Sequence, residues 1–328
     1  MGLKQIFYFL FYAVVFTSCE SSSLQVDVSL APTKVSVKRF DQALFETDVN
    51  DIEAALPALA QDFPAFISKD NIDPENVKGL IDYILNPLNQ KLYIKSLHTF
   101  EQFEPIEKEL KEGFQHFYHY FPEEDSITIY TYISGLNYEQ PVIATDSFLL
   151  IGLDLFLGQN YEEYRNFQIP LYVSKRFDAK YLPTAAMRQY VLNKFGAALN
   201  GQTLLEYMIS LGKVEYFVEA MYPSVSDSIR FAFTPTQMQW CVEREKAFWD
   251  HLAQKNLLFS KDYHTFKKYI EEQPFISSLE RESPGKAGVW LGYRIVKAFM
   301  EKNPKVTLQS LMIEKSQDEI FKGSKYHP

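Results

Sequence analysis

Cysteine is nearly missing from this sequence: of 328 residues only Cys19 and Cys241 carry a thiol. No CxxC pair exists, which excludes a thioredoxin-type redox motif and a paired-cysteine zinc site. Phosphate-cradling GxxxxGK[ST] and dinucleotide-binding GxGxxG are absent. So are the GxSxG nucleophile elbow and the HExxH zinc signature. No run of five or more Lys and Arg occurs, and the formal net charge is −9. Nucleic acid is therefore not expected as a partner, because its binding rests on a positive footprint. The acidic balance favours solubility instead.

Long apolar runs are lacking too. The only candidate is Ile6 to Phe16, eleven uncharged residues after Lys4. A spanning helix needs about 20, so this run has the length of a secretory h-region. Thr17 and Ser18 are small, as a peptidase requires beside the scissile bond, and Cys19 follows directly. This is the pattern of a bacterial lipoprotein signal, with Phe16 where Leu or Val is commoner. It predicts a signal peptide over residues 1–18 and lipidation of Cys19, with diacylglycerol on the thiol and a third acyl chain, palmitate, on the amine. One chain binds a bilayer only marginally, whereas several anchor firmly. Residues 19–33 then read as a tether and 34–328 as one globular domain. The expected location is the cell envelope, with the domain exported to the periplasmic side. With Cys19 acylated, Cys241 is alone and no internal disulfide can form; its amphipathic setting, "QMQWCVEREKAFW", reads as a buried structural thiol.

What remains is rich in core formers, 46% hydrophobic and 16% aromatic. "KVSVKRFDQALFE" alternates and then shifts to helical spacing, a short strand followed by a helix. Residues 51–67 and 76–93 are helical, with prolines as punctuation, and 96–121 form one or two amphipathic helices. In "SITIYTYIS" the period changes: Ile127, Ile129, Thr131 and Ile133 fall on one face, and Thr128, Tyr130 and Tyr132 on the other. "GLNYEQP" is a turn, and "VIATD" and "FLLIGLDLFLG" continue as strand or buried segments. After Tyr172 helices are predicted at 180–199, 204–221, 235–258, 263–271, 288–301 and 308–314. Strands gathered mid-chain between helical blocks give an α+β fold, predominantly helical with a small central sheet.

Few residues offer chemistry. His116 and His119 in "FQHFYHYF" are three apart and share a helix face; they are the best metal pair, but a site needs a third ligand. Their aromatic setting equally suits a packing face with histidines at its rim. Asp154 stands inside an apolar run, which is costly unless it is partnered; it either satisfies a loop or holds Arg165 or Arg176. In "ERESPGKAGVWLGYRIVKAFM" Gly288 and Gly292 lie four apart near a helix start, where each glycine lowers stability by about 1 kcal/mol relative to alanine. Close backbone packing explains them, or a pocket lined by Trp290, Tyr293 and Arg294.

"SVKRFDQALFE", "TYISGLNYEQPVIATDSFLLIGLDLFLG", "GKVEYFVEAMYP" and "SPGKAGVWLGYRIVKAFMEKNP" together resemble the gliding motility lipoprotein GldB family over essentially the whole chain. The resemblance implies an envelope lipoprotein needed for surface gliding, acting as a non-catalytic binding or scaffold protein with other gliding-motility envelope proteins. The arrangement also resembles, more faintly, a family of putative zinc peptidases, a zincin-like scaffold in which a helix after the sheet carries HExxH. On the corresponding segment here stand Met187, Arg188, Val191 and Leu192, and Leu211 precedes Gly212 where a third ligand would lie. None of these side chains replaces imidazole or carboxylate at zinc. Arg188 therefore joins Trp290, Tyr293 and Arg294 as a candidate binding residue, and no cofactor is expected. The competing reading is a divergent envelope metallopeptidase or hydrolase built on His116 and His119.

Overall fold

The computed structural model describes residues 24–32, 34–69 and 72–328. The expected signal peptide over residues 1–18 and Cys19 lie outside them. In chain order the elements are β1 (Val35–Arg39), α1 (Phe40–Phe45), α2 (Ile52–Asp62), α3 (Pro74–Leu85), α4 (Pro87–Thr99), α5 (Glu104–Tyr120), β2 (Ile127–Tyr132), β3 (Val142–Ala144) and β4 (Phe148–Gly152). Then come α6 (Glu162–Asn166), α7 (Leu171–Ser174), α8 (Leu182–Phe195), α9 (Leu204–Met221), α10 (Asp227–Arg230), α11 (Pro235–Glu243), α12 (Glu245–Gln254), α13 (Tyr263–Phe266), α14 (Ala287–Lys302), α15 (Leu308–Ile313) and α16 (Gln317–Ser324). The fold is α+β and mostly helical, with a small mixed sheet in the middle of the chain, as the periodicity indicates.

The sheet runs β1-β2-β4-β3, with β1, β2 and β4 parallel and β3 antiparallel at the edge. The alternation of β2 decides what lies on either side. Ile127 and Ile129, with Leu149 and Ile151 of β4, face the main core built by α5, α8, α9 and α14. Tyr130 points the other way, into a smaller core with Phe40, Leu44, Ile52, Leu56 and Val77 from α1, α2 and α3. A strand buried on both faces must be largely apolar or aromatic on both; its buried polar exception, Thr131, donates its hydroxyl to the Asp41 carboxylate. Leu24, within the segment read as a tether, is buried in the main core.

Local chemistry places the breaks. Asn86 caps α4, its side chain accepting from the N–H groups of Leu88 and Asn89, and Pro87 opens the helix where no N–H is needed. The single helix expected over 235–258 is broken at Arg244 into α11 and α12. Helix α16, which the periodicity did not mark, starts at a capping box: Ser316 accepts from the N–H of Glu319, whose carboxylate accepts in return from the N–H of Ser316.

Asp154 is 0% exposed in a 3-10 turn after β4. It accepts from the Ser134 N–H at 2.6 Å, the Ser134 hydroxyl at 2.8 Å and the Leu136 N–H at 2.7 Å. It thus satisfies a loop rather than holding a guanidinium; Arg176 pairs elsewhere, with Glu272. Helices α9 and α14 form the closest seam in the molecule. A Cβ on Gly292 would strike the Met208 carbonyl, and one on Gly212 would strike the backbone of Gly292. Close packing is thus what glycine does at position 292.

Candidate functional site

Helix α9 is apolar almost all round and buried over most of its length, yet it carries Lys213, Glu215 and Glu219. Charges inside such a helix must be paired or hydrogen-bonded. Glu215 and Glu219, one turn apart, share a face; Lys213 points away from them. What they meet comes from α8, α10 and α14.

Arg188 of α8 grips Glu215 in a two-pronged pair, Nε to Oε1 at 2.8 Å and Nη2 to Oε2 at 2.9 Å. Its Nη2 also donates to the Arg230 carbonyl. Arg230, 1% exposed, donates from Nη1 to the Glu215 carbonyl at 2.9 Å and from Nη2 to the Tyr293 hydroxyl at 3.2 Å. Nη2 also reaches Asp227. The guanidinium lies 4.5 Å from the centre of the Tyr293 ring, a cation–π geometry. Tyr293 donates onward to Glu219 at 2.8 Å, and Lys297 donates to both, at 2.8 Å to Glu219 and 3.0 Å to Tyr293. Beside this chain, Glu272 takes Arg176 at 2.9 Å and Lys286 at 2.7 Å.

The protonation states follow from these contacts. Burial would raise the Glu215 carboxyl, but Arg188 outweighs it and holds the group below the usual carboxylate range. Burial acts on Glu272 in the same sense, and Lys286 with Arg176 brings it down to about 2. Burial pushes the Tyr293 hydroxyl up to about 12. Lys286 and Lys175 are both lowered, chiefly by burial, and each also feels the cations around it.

Against this network lies a cavity of about 80 Å³. Arg176, Arg188, Arg230 and Lys286 line it with Thr184 and Pro141, and no carboxylate is in its wall. Pro141 directly precedes the edge strand β3.

The sequence-derived candidates are placed as follows. Arg188 and Tyr293 both contact Arg230. Trp290 is 2% exposed in the main core. Arg294 lies away from the cavity, pairs with Glu245 at 2.9 Å and lines a separate surface depression ending at Pro328. His116 is half-buried on α5 and His119 is exposed beside Tyr120; burial lowers His116. Among the described residues no three His, Cys, Asp or Glu side chains are placed to hold a metal. Met187 and Val191 are buried, Leu192 is partly buried against the core, and Arg188 is taken up by Glu215. Zinc does not fit α8: these side chains offer no imidazole, thiolate or carboxylate. Cys241 is buried on α11 and its thiol is pushed up by burial, the environment of an inert cysteine.

Sequence reading missed Glu215, Glu219, Arg230, Glu272 and Lys286. The signal for the first two was present: acids in an otherwise apolar helix call for buried cations.

A model of the gliding motility protein GldB family matches residues 21–328. The chain belongs to that family. No curated protein and no solved structure matches it. Membership ties the chain to gliding motility and to a lipoprotein family, and so to the cell envelope. No described helix is long and apolar enough to cross a membrane.

Proposed function

We propose that the protein is a lipid-anchored envelope component of the gliding apparatus that acts by binding other envelope proteins rather than by catalysis. Cys19 carries the anchor, and the α8–α9–α14 body with its cationic cleft presents the recognition surface. The observation that supports the non-catalytic reading is the Arg188–Glu215 pair. Where a zinc peptidase helix would present ligands and a base, this chain presents a guanidinium already held by a carboxylate at 2.8 and 2.9 Å. A bidentate pair of this kind is pre-organised and strong, and neither partner is free to activate water.

The test is crosslinking and pulldown of the native protein from membranes, with the Cys19→Ala variant in parallel. Wild-type protein is expected in the membrane fraction, recovering other gliding-motility proteins; Cys19→Ala is expected to leave the membrane or stay as uncut precursor. Normal anchoring of Cys19→Ala would refute the anchor. Hydrolysis of casein or envelope peptides by the purified protein would refute the non-catalytic role.

A further inference from the structure

We propose that the cavity between α8, α10 and the segment leading into α14 binds an oxyanion: a carboxylate or phosphate head group enters it and is held by Arg176, Arg188, Arg230 and Lys286. The inference rests on reading this cleft as a binding site, and it names the chemistry that the cleft selects.

Charge accounting comes first. The cavity wall carries four cations and no acid. Behind the wall, Glu215 and Glu272 each neutralise part of this charge. Widening the circle adds Lys175 and Lys297 on one side and Glu219 and Asp227 on the other. Six cations then face four carboxylates, so among these described residues cations exceed acids by two in either set. Uncompensated charge at low dielectric is costly. An anion in the cavity would discharge it.

Unused donors point the same way. The Nε of Arg176 and the Nε of Arg230 are buried and have no hydrogen-bond partner among the described residues. Buried donors are normally paired, and exceptions call for an explanation. Among the described residues Arg176 makes one hydrogen bond, through Nη1 to Glu272, which leaves most of its fork uncommitted. Planar guanidinium forks match carboxylate and phosphate oxygens better than they match any neutral ligand. The lowered lysines fit as well, since each lies where further positive charge is unwelcome.

Size limits the ligand. About 80 Å³ accommodates a few waters or one head group, so the rest of any larger molecule must stay outside.

Full-length protein in detergent is titrated with inorganic phosphate and, separately, with succinate, at constant ionic strength set with chloride. Calorimetry and thermal unfolding read the binding. Saturable one-to-one binding with a raised Tm is expected for at least one anion. Saturation by phosphate alone assigns a phosphate head group, and by succinate alone a carboxylate. Arg176→Gln and Lys286→Met should each weaken binding by about tenfold or more, the scale of one lost charge-assisted hydrogen bond. Glu272→Gln, which removes a competing acid, should tighten it. Arg176→Gln is the decisive variant, because that side chain is partly exposed and Lys286 still neutralises Glu272 without it; its unliganded unfolding curve checks that the fold stands. Absence of saturable binding for both anions overturns the proposal, as does equal binding by Arg176→Gln and Lys286→Met. Such a failure leaves the scaffold reading intact, because no envelope partner is present; loss of partner recovery in the pulldown leaves oxyanion binding intact.

Discussion

Two buried polar centres sit within this fold and are built in opposite ways. At Asp154 one carboxylate meets the Ser134–Leu136 turn and accepts from two N–H groups and a hydroxyl. Its donors are all supplied by one short turn, and the centre closes on itself. In the Arg188 cleft the charges come from α8, α9, α10, α14 and the loops before and after them, cations outnumber acids, and two guanidinium nitrogens are left over. The difference separates polar burial that shapes the chain from polar burial that awaits a ligand. The first satisfies every group it buries; the second has donors to spare and an opening.

The comparison breaks most easily at its closed side. Asp154→Ala strips three donors of their acceptor in a fully buried setting. It should cost about 3–5 kcal/mol, since each orphaned group forfeits its desolvation cost. Urea unfolding measures this, and a loss under about 1 kcal/mol would mean the turn holds without its carboxylate.

Glu215→Gln comes next. It leaves the Arg188 guanidinium and its neighbour Arg230 with less compensation, and breaking a buried pair costs on the order of 3 kcal/mol. Because the cleft already has surplus cation, added phosphate or succinate should restore part of that Tm in this variant and none of it in Asp154→Ala. Equal responses would erase the distinction drawn here.

Lys213 sharpens the contrast from a third position. It is 1% exposed on α9 and, among the described residues, its ammonium has one acceptor, the Lys315 carbonyl at 2.7 Å. Burial lowers it from 10.5 to about 8. The folded value lies below the unfolded one, so the unfolded chain binds the extra proton between the two. Stability should therefore rise as pH goes from 8 to 10.5. Lys213→Met should be more stable than wild type by about 1–3 kcal/mol at neutral pH, with the gap closing by the upper end of that window. Thermal unfolding across pH checks it; a constant gap would show that the lysine carries no penalty.

The smallest effect belongs to Glu272. Its folded value of about 2 lies below the ordinary 4.5, so its contribution is present above 4.5 and is lost as pH falls toward 2. The side chain is 26% exposed, and about 1 kcal/mol is the expected scale. Glu272→Gln should flatten that part of the acid-unfolding curve; an unchanged curve would place the acid sensitivity elsewhere.

Much of the architecture was legible. Strict alternation in β2 named the residues on each sheet face, because side chains in a strand alternate whatever packs on them. Helix α9 was bounded correctly at 204–221. The break at Arg244 was not legible, since the amphipathic pattern runs through it, and α16 was overlooked because its signal is a cap rather than a period. Within the site, Arg188 and Tyr293 were singled out, one from a missing motif and the other from a glycine-flanked helix. Their partners escaped, because Glu215, Glu219 and Arg230 lie far along the chain from the side chains they meet, and a pairing between distant groups has no period to betray it.

By itself, then, the sequence determined the order of most helical and strand segments and which face each residue of β2 would take, because those follow from local periodicity and the cost of exposing apolar surface. It also determined that α9 would hold charges needing partners. Only the tertiary structure decided which partners those were, that the cations exceed the acids around one small cavity, and that Asp154 closes a turn instead of gripping an arginine. Those outcomes depend on distances between segments that only packing brings within a few ångströms, where electrostatics and hydrogen bonding take effect.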